Sequence, residues 1–364
     1  MSHIDYLIVL SYLLIILIVG IRIKSTNNLT NYIFVGRKLT TSSFVFTLVT
    51  TWYGGILEIG RLSYMYGLST WMIFGLFYYI AAILYAKIFV PKIISSQFKS
   101  IPDAIEYKYN KTAAIVVAFI IFLISSPAPY LLILSQILSY LWDINMFISI
   151  LVCGTISILY TTKSGFASVI KTDMIQFILM FGGFLFVFIF LVLNYGGLEF
   201  IRFNVPHDHL TFKGNFQWSY IISWFFIAMI TFIDPSFYQR SFAGLSLNNI
   251  QKGIYISIIF WFIFDFLSIS LGLYALAILP NLSNSSPYLE LSIMILPKIL
   301  RGIFIVSLLS VVMSTIDSYA LISGFTFGRD IVSRLFNIRE SIIYIKAGVV
   351  LTFLISLIIC KFFT

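Results

Sequence analysis

Charged side chains are scarce in this sequence, and so are the residues that build metal or disulfide sites. Only 10% of the 364 residues are charged and 60% are hydrophobic, which excludes a soluble globular chain and indicates a polytopic membrane protein. Cys153 and Cys360 lie far apart in apolar segments, and the three histidines lack metal-ligand spacing. The sequence therefore supports neither a disulfide framework nor a zinc site. The N-terminal segment also lacks the features of a cleaved signal peptide.

The basic residues indicate topology. The net charge is +9, but the 23 Lys and Arg residues are spread singly between apolar runs, which argues against nucleic acid as a partner. Most of them fall in alternate links, and the positive-inside rule places those links inside. Both termini are then expected outside, with the chain in the plasma (inner) membrane. The ten predicted spans are residues 4–21, 40–66, 69–95, 112–140, 144–161, 173–194, 216–236, 252–279, 297–325 and 341–360.

The segment 307–329 carries a band of polar side chains in the middle of an apolar run. Ser314 and Thr315 are adjacent hydroxyls about one turn after Val311, whose backbone carbonyl is expected on the same side of the helix. Polar groups at mid-membrane depth are costly unless they meet a cavity or an ion, and hard oxygen donors suit Na+. The alternative is that both hydroxyls bond back to carbonyls four residues earlier.

The second predicted span contains a candidate helix break. Thr50 and Thr51 are followed by Trp52, Tyr53 and the pair Gly54-Gly55. A break at this depth would free carbonyls that can coordinate a cation, as in transporters with discontinuous helices. The alternative is that the glycines serve close helix packing.

Four charged residues lie inside or at the ends of predicted spans. Glu58 and Arg61 are three apart on one helix face, so they either neutralise each other or meet a solute carboxylate or amine. Asp265 and Asp317 lie within spans eight and nine, where each could neutralise a cation, relay a proton or be held by hydrogen bonds. Asp317 is the stronger coupling candidate, because it is expected to share a face with Ser314.

Two links are interpreted as structural. Gly165 permits a turn, and Thr172 or Asp173 is expected to cap the helix that follows. At the end of span seven, Pro235 sets a bend and Arg240 is expected to bind carbonyls or an acidic partner.

Several of these stretches together resemble the sodium:solute symporter family of proline, pantothenate, sugar and sialic-acid carriers. They are YIFVGRKL at 32–39, the helix around 50–55, KSGFASVIKTDMIQ at 163–176, DPSFYQR at 234–240, and MSTIDS at 313–318 followed by GRD at 328–330. The resemblance implies an all-α, LeuT-like fold of two inverted five-helix repeats after one extra N-terminal helix.

The resemblance also implies site residues. Ser314 and Thr315 would bind sodium through their side chains, and Thr50, Tyr53 and Val311 through their backbone carbonyls. The solute would lie nearby, among Trp52, Gly54, Gly55 and Trp224. Trp52 departs from some members of the family, which carry an acidic residue there.

The expected domain is a single transport unit over 1–364. Residues 1–38 would form the extra helix and an inner link, 39–195 the first repeat and 215–364 the second. With about ten spans instead of about thirteen, the second repeat is expected to lack its last helix, which a partner chain could supply.

The predicted function is import of a small organic solute, coupled to Na+ and without an organic cofactor. Arg61 and Glu58 favour an amino acid or carboxylate as the solute. The alternatives are a sodium-binding sensor or partner subunit without transport, and proton coupling through Asp317 or Asp265. A membrane enzyme lacks support, because no nucleophile and base or metal cluster is recognisable.

Overall fold

Helices make up almost the whole structure. A computed structural model of the chain describes residues 2–96, 98–282 and 286–363, and in these ranges it contains helices and one isolated bridge but no β-strand. In chain order, the helices are α1 (His3–Arg22), α2 (Leu29–Phe34), α3 (Thr41–Trp52), α4 (Ile56–Tyr66), α5 (Ser69–Ser95), α6 (Ile101–Lys108), α7 (Lys111–Ile124), α8 (Ala128–Trp142), α9 (Met146–Ser164), α10 (Phe166–Tyr195), α11 (Leu198–Asn204), α12 (Trp218–Phe232), α13 (Pro235–Ala243), α14 (Leu247–Ile278), α15 (Pro287–Met294), α16 (Leu300–Phe336) and α17 (Ile342–Lys361).

Each of the ten predicted spans is helical. Within the described ranges, eight helical spans are long and apolar enough to cross a membrane when α7 and α8 are counted as one, and α12 with α13, which meet at an angle of 41°, would make a ninth. The segment 40–66 divides into α3 and α4, of 12 and 11 residues, so neither half is long enough alone. The chain is therefore an integral, multi-pass membrane protein, as predicted.

Short polar side chains begin several helices. Thr40, Asn110 and Ser246 precede α3, α7 and α14, and the side-chain oxygen of each accepts a hydrogen bond from the backbone N–H three residues later. These bonds satisfy N–H groups that have no partner within the helix.

Gly165 forms the predicted turn. Gly165 has a φ of +62°, and α9 and α10 meet directly at this residue. A Cβ atom here would lie 2.2 Å from the Tyr32 carbonyl oxygen, so glycine is needed for space as well as for backbone conformation. Because α10 begins at Phe166, Thr172 and Asp173 lie inside the helix, and the prediction that they cap it was wrong.

Helix α16 forms the centre of the bundle. In its most apolar stretch 94% of the residues are buried, whereas the corresponding share in the other long helices is between 33% and 50%. It packs against α1, α3, α8, α10 and α17. The polar band of α16 therefore lies inside protein and not against lipid, which removes the cost of exposing it to hydrocarbon.

Two contacts agree with the grouping of the links that the charge pattern predicted. At one end Lys163 Nζ donates to the Ile21 carbonyl oxygen at 2.7 Å, joining two predicted inner links. At the other end Tyr274 donates its hydroxyl to the Gly196 carbonyl oxygen at 2.6 Å, joining α14 to the long predicted outer link. Which end faces the cytoplasm stays a prediction.

Candidate sodium and solute site

The predicted break in the second span is confirmed. Tyr53, Gly54 and Gly55 form a turn between α3 and α4. A Cβ atom at Gly54 would lie 2.6 Å from Thr315 Cγ2 and from the ring of Tyr130, so only glycine allows this approach to α16, whereas a Cβ at Gly55 meets open space. Because α3 ends here, the carbonyl groups of its last turn lack partners within the helix.

Ser314 and Thr315 contact two different helices. Thr315 Oγ1 lies 3.0 Å from the carbonyl oxygen of Thr51 on α3 and 3.1 Å from that of Val311. Ser314 donates its hydroxyl to Asp173 Oδ1 on α10 at 2.7 Å. The back-bonding alternative thus applies to Thr315 in part, because its hydroxyl also reaches α3, while Ser314 bonds to a neighbouring helix.

The backbone ligands that the resemblance implied belong to the segments that meet here. Thr50 lies in the last turn of α3 and Tyr53 in the break, while Val311 lies one turn before Thr315. The carbonyl that Thr315 contacts on α3 is that of Thr51, a residue that the resemblance did not single out. Thr51 is therefore a further candidate ligand.

A buried carboxylate and a buried guanidinium lie behind the hydroxyl pair, both 0% exposed. Asp173 accepts a hydrogen bond from the Thr47 hydroxyl. Arg240 Nη2 lies 2.8 Å from Thr47 Oγ1, 2.7 Å from Thr51 Oγ1 and 2.9 Å from Ser318 Oγ. The Thr47 hydroxyl thus bridges the opposite charges, which lowers the cost of burying each of them.

Asp173 is the site residue that the sequence interpretation missed. It lies in the third turn of α10 and faces α16, so its role is not capping. The available signal was a single carboxylate inside a long apolar run, which favours a function at membrane depth. The expectation for Arg240 is confirmed, since Nη1 also donates to the Ser236 carbonyl oxygen at 3.2 Å.

A cavity of about 410 Å³ opens beside the break, a volume typical of sites for small molecules. One wall is Trp52, whose ring centroid lies 5.0 Å from that of Trp261 and 5.1 Å from that of Tyr78. Another wall is the stacked pair of Tyr130 and Tyr319, with centroids 5.4 Å apart. The cavity is lined by Leu48, Thr51, Trp52, Tyr53, Gly55, Glu58, Ile59, Leu62, Phe74, Tyr78, Ile124, Tyr130, Ile230, Asp234, Ser236, Asp265 and Tyr319.

Not every predicted solute residue reaches this cavity. Trp52, Gly55 and Glu58 line it, whereas Gly54 turns toward α16. Trp224 packs with its ring centroid 4.4 Å from that of Phe74, and it is Phe74 that lines the cavity.

Arg61 forms a two-point ion pair with Glu58 and lines a second cavity, of about 750 Å³. Its Nε lies 2.9 Å from Oε2 and its Nη2 lies 2.8 Å from Oε1. The side chains are 57% and 50% exposed, so the pair is screened by water. The self-neutralising interpretation of this pair therefore fits the structure.

The two coupling candidates lie in separate environments. Asp317 accepts hydrogen bonds from Ser157 and Tyr160 on α9, so it contacts a different helix from Ser314. Asp265 accepts hydrogen bonds from Tyr79 and, at 2.7 Å, from the hydroxyl of Tyr53.

An ion-pair cluster closes the predicted inner end. Arg329 binds both oxygens of Asp103 at 2.7 and 2.9 Å, and its Nε lies 2.9 Å from Glu340. Lys99 binds the other oxygen of Glu340 at 3.1 Å, and Arg334 also contacts Asp103. Burial acts to raise the pKa of Asp103, but hydrogen bonds and charge from Arg329 outweigh it and hold the pKa below its usual value. The pKa of Glu340 is lowered in the same way, against burial, by Arg329 and Lys99.

Comparisons with known proteins agree with this arrangement. The model of the sodium:solute symporter family matches residues 32–363. The sodium-dependent multivitamin transporter of Oryctolagus cuniculus is 27% identical over 172 residues, which are 46% of this chain. The match spans only 27% of that relative's length.

The solved structure of a Na+-coupled sialic acid symporter, in a substrate-bound outward-open state, matches with a TM-score of 0.85 at 17% identity. The match covers 98% of this chain and 80% of that chain. At this identity the likeness shows the fold alone, and the predicted LeuT-like fold is confirmed.

Proposed function

Because the chain belongs to the sodium:solute symporter family, we propose that it is a sodium-coupled secondary transporter that moves a small organic solute across a membrane by alternating access. The observation that carries the proposal is the contact of Thr315, on the most buried helix, with the broken end of α3. The family is one of transporters, which sets aside the membrane enzyme as an alternative.

The proposed sodium ligands are the side-chain oxygens of Ser314 and Thr315 with the carbonyls of Thr50, Tyr53 and Val311. When Na+ arrives, the hydroxyl proton of Thr315 turns away from the backbone carbonyls and its oxygen faces the ion. Oxygen ligands of this kind suit hard cations.

Asp173 supports this site from behind. It accepts the Ser314 hydroxyl at 2.7 Å, so the Ser314 oxygen keeps a lone pair for the ion.

Sodium couples to the solute because it joins two elements that line the cavity. Na+ would hold α3 against α16 and favour the state in which the cavity is assembled. Tyr53 links the two sites: its carbonyl belongs to the proposed ion site, and its hydroxyl binds Asp265 at the cavity. Coupling of this kind is a difference in affinity between two states. Asp317 and Asp265 are the proposed coupling residues.

The broken helices support the two-repeat organisation. The break between α3 and α4 opens the proposed first repeat, 39–195, and the bend between α12 and α13 opens the second, 215–364. In the proposed orientation the Arg329 cluster lies on the cytoplasmic side of the plasma (inner) membrane. The solute would enter from the side of Glu58 and Arg61.

Uptake into proteoliposomes tests this function. Vesicles with an inward Na+ gradient, or an equal K+ gradient, are offered a panel of labelled amines, amino acids, sugars and carboxylates. Solute is expected to accumulate with the Na+ gradient and not with the K+ gradient, and the double variant Ser314→Ala/Thr315→Ala should abolish this accumulation. Acid-driven uptake without Na+ would instead favour proton coupling. Sodium binding without uptake of any solute would favour a sensor or partner subunit.

A further inference from the structure

The charged side chains that line the solute cavity are all acidic. In the described part of the chain, Glu58, Asp234 and Asp265 line it, and no Lys, Arg or His side chain does. Asp265 reaches it from α14 and Asp234 from the bend between α12 and α13. Two carboxylates thus approach the same space from different helices.

Neutral groups, and not basic side chains, hold these two carboxylates. Both oxygens of Asp265 accept hydrogen bonds from tyrosine hydroxyls, those of Tyr53 and Tyr79. Asp234 Oδ1 accepts the Ser236 N–H at 2.7 Å, and Oδ2 lies 3.5 Å from the Tyr319 hydroxyl. Among the described residues, no basic side chain therefore donates a hydrogen bond to either carboxylate, and a cation that entered the cavity would itself favour the ionised form of both.

The two basic side chains in the neighbourhood are already engaged. Arg240 directs Nη2 to Thr47, Thr51 and Ser318, and shares Thr47 with Asp173. Arg61 is bound at two points to Glu58. Neither Arg240 nor Arg61 donates a hydrogen bond to Asp234 or Asp265, and one guanidinium, that of Arg240, lies near the carboxylates of both Asp173 and Asp234.

Aromatic rings form a large part of the remaining wall. Trp52, Tyr78, Tyr130 and Tyr319 border the cavity together with Phe74. The negative faces of such rings attract ammonium groups, most strongly where water is excluded. Aromatic walls with carboxylates and without a basic side chain favour a positively charged solute and oppose a free carboxylate.

We propose that the transported solute is an organic cation, a compact amine or quaternary ammonium compound, whose charged group lies between Asp234 and Asp265 against the aromatic wall. The inference rests on the proposed function and narrows it. It replaces the sequence-based expectation that the solute is an amino acid or carboxylate, because Arg61 and Glu58, which suggested that solute, form an ion pair with each other at the edge of the cavity.

Matched probes test the charge preference on the full chain purified in detergent. Melting temperatures are recorded in NaCl with a set of small ammonium compounds that includes choline, each compared with its uncharged carbon analogue, and with propionate as the anionic probe. At least one ammonium compound is expected to stabilise the chain at a tenfold lower concentration than its uncharged analogue, and propionate should have no effect. The inference is overturned if uncharged analogues or propionate stabilise as well as the cations, or if no cation acts.

Two variants locate the effect. Asp265→Asn and Asp234→Asn should each weaken the ammonium response at least tenfold, measured within each variant against the uncharged analogue. Asp143→Asn makes the same chemical change at an exposed left-handed residue outside the cavity, where asparagine is well tolerated, and should respond like the unmodified chain. If both cavity variants respond to ammonium compounds as strongly as the unmodified chain, the charged group of the solute does not lie between Asp234 and Asp265. Loss of the NaCl effect in the unmodified chain counts instead against the proposed function.

Discussion

Replacing Ser314 and Thr315 together by alanine should remove the sodium-specific stabilisation of the purified chain. The two hydroxyls are the side-chain ligands of the proposed site. At a Na+ concentration of about 100 times Kd, binding should stabilise the native state by about 2.7 kcal/mol. An unfolding entropy of about 2.1 cal/mol/K per residue amounts to about 0.76 kcal/mol/K for this chain. The melting temperature should therefore be about 3.5 °C higher in NaCl than in equal KCl.

The informative quantity is the difference between the two salts within one variant. Ser314→Ala leaves Oδ1 of Asp173 without its donor, while Thr47 still binds Oδ2, and losing a partner of a buried polar group costs about 1 to 3 kcal/mol in either salt. Ser307→Ala is the matched control, because this buried hydroxyl lies on the same helix and donates to the Phe304 carbonyl oxygen at 2.6 Å. It should keep the full sodium effect.

Two results would refute the reasoning. A sodium effect of unmodified size in the double variant would remove these hydroxyls from the site. No difference between the salts in the unmodified chain, at saturating concentration, would remove the sodium site itself. Potassium is a better reference than an organic cation such as choline, because the cavity is proposed to bind organic cations.

Three further predictions concern the helix break and the buried charges. Gly54→Ala should abolish the NaCl effect, because its Cβ would lie 2.6 Å from a side chain of α16, whereas Gly55→Ala, which faces open space, should keep it; equal behaviour in melting experiments would contradict the close approach. Asp103→Asn should destabilise the chain at pH 7. Since the folded-state pKa of Asp103 is lowered, the unmodified chain should melt at a higher temperature than the variant above about pH 4, and this difference should shrink as the pH falls further. A difference in melting temperature that does not change with pH would contradict this prediction. Arg240→Gln leaves a buried carboxylate without its counter-charge and should cost about 3 to 5 kcal/mol in denaturant unfolding. Arg61→Gln, in an exposed pair, should cost about 1 kcal/mol or less, and similar losses in the two variants would contradict the assigned burial.

The membrane architecture was largely readable from the sequence. Apolar runs of sufficient length predict spans because backbone groups in lipid must be satisfied within a helix, and each predicted span is helical. The break at Gly54-Gly55 and the polar band at Ser314 and Thr315 were also visible, since both are unusual at membrane depth.

The roles of single charged residues were not predictable in the same way. Asp173 resembled a helix cap because it follows a glycine turn by eight residues, and only the direct junction at Gly165 places it inside α10, facing Ser314. Arg61 and Trp224 had the chemistry of solute contacts, but one is bound to Glu58 and the other lies behind Phe74.

The sequence by itself determined that the chain is a bundle of membrane helices, which of its helices is interrupted, and which oxygen-bearing residues could meet a cation. These properties follow from local composition and spacing, because each helix satisfies its own backbone. Only the tertiary structure decided that Thr315 meets the end of α3, that Arg240 and Asp173 share the Thr47 hydroxyl, and that Asp234 and Asp265 line one cavity. The partners come from helices far apart in the chain, and their meeting depends on packing around α16, which no single segment encodes.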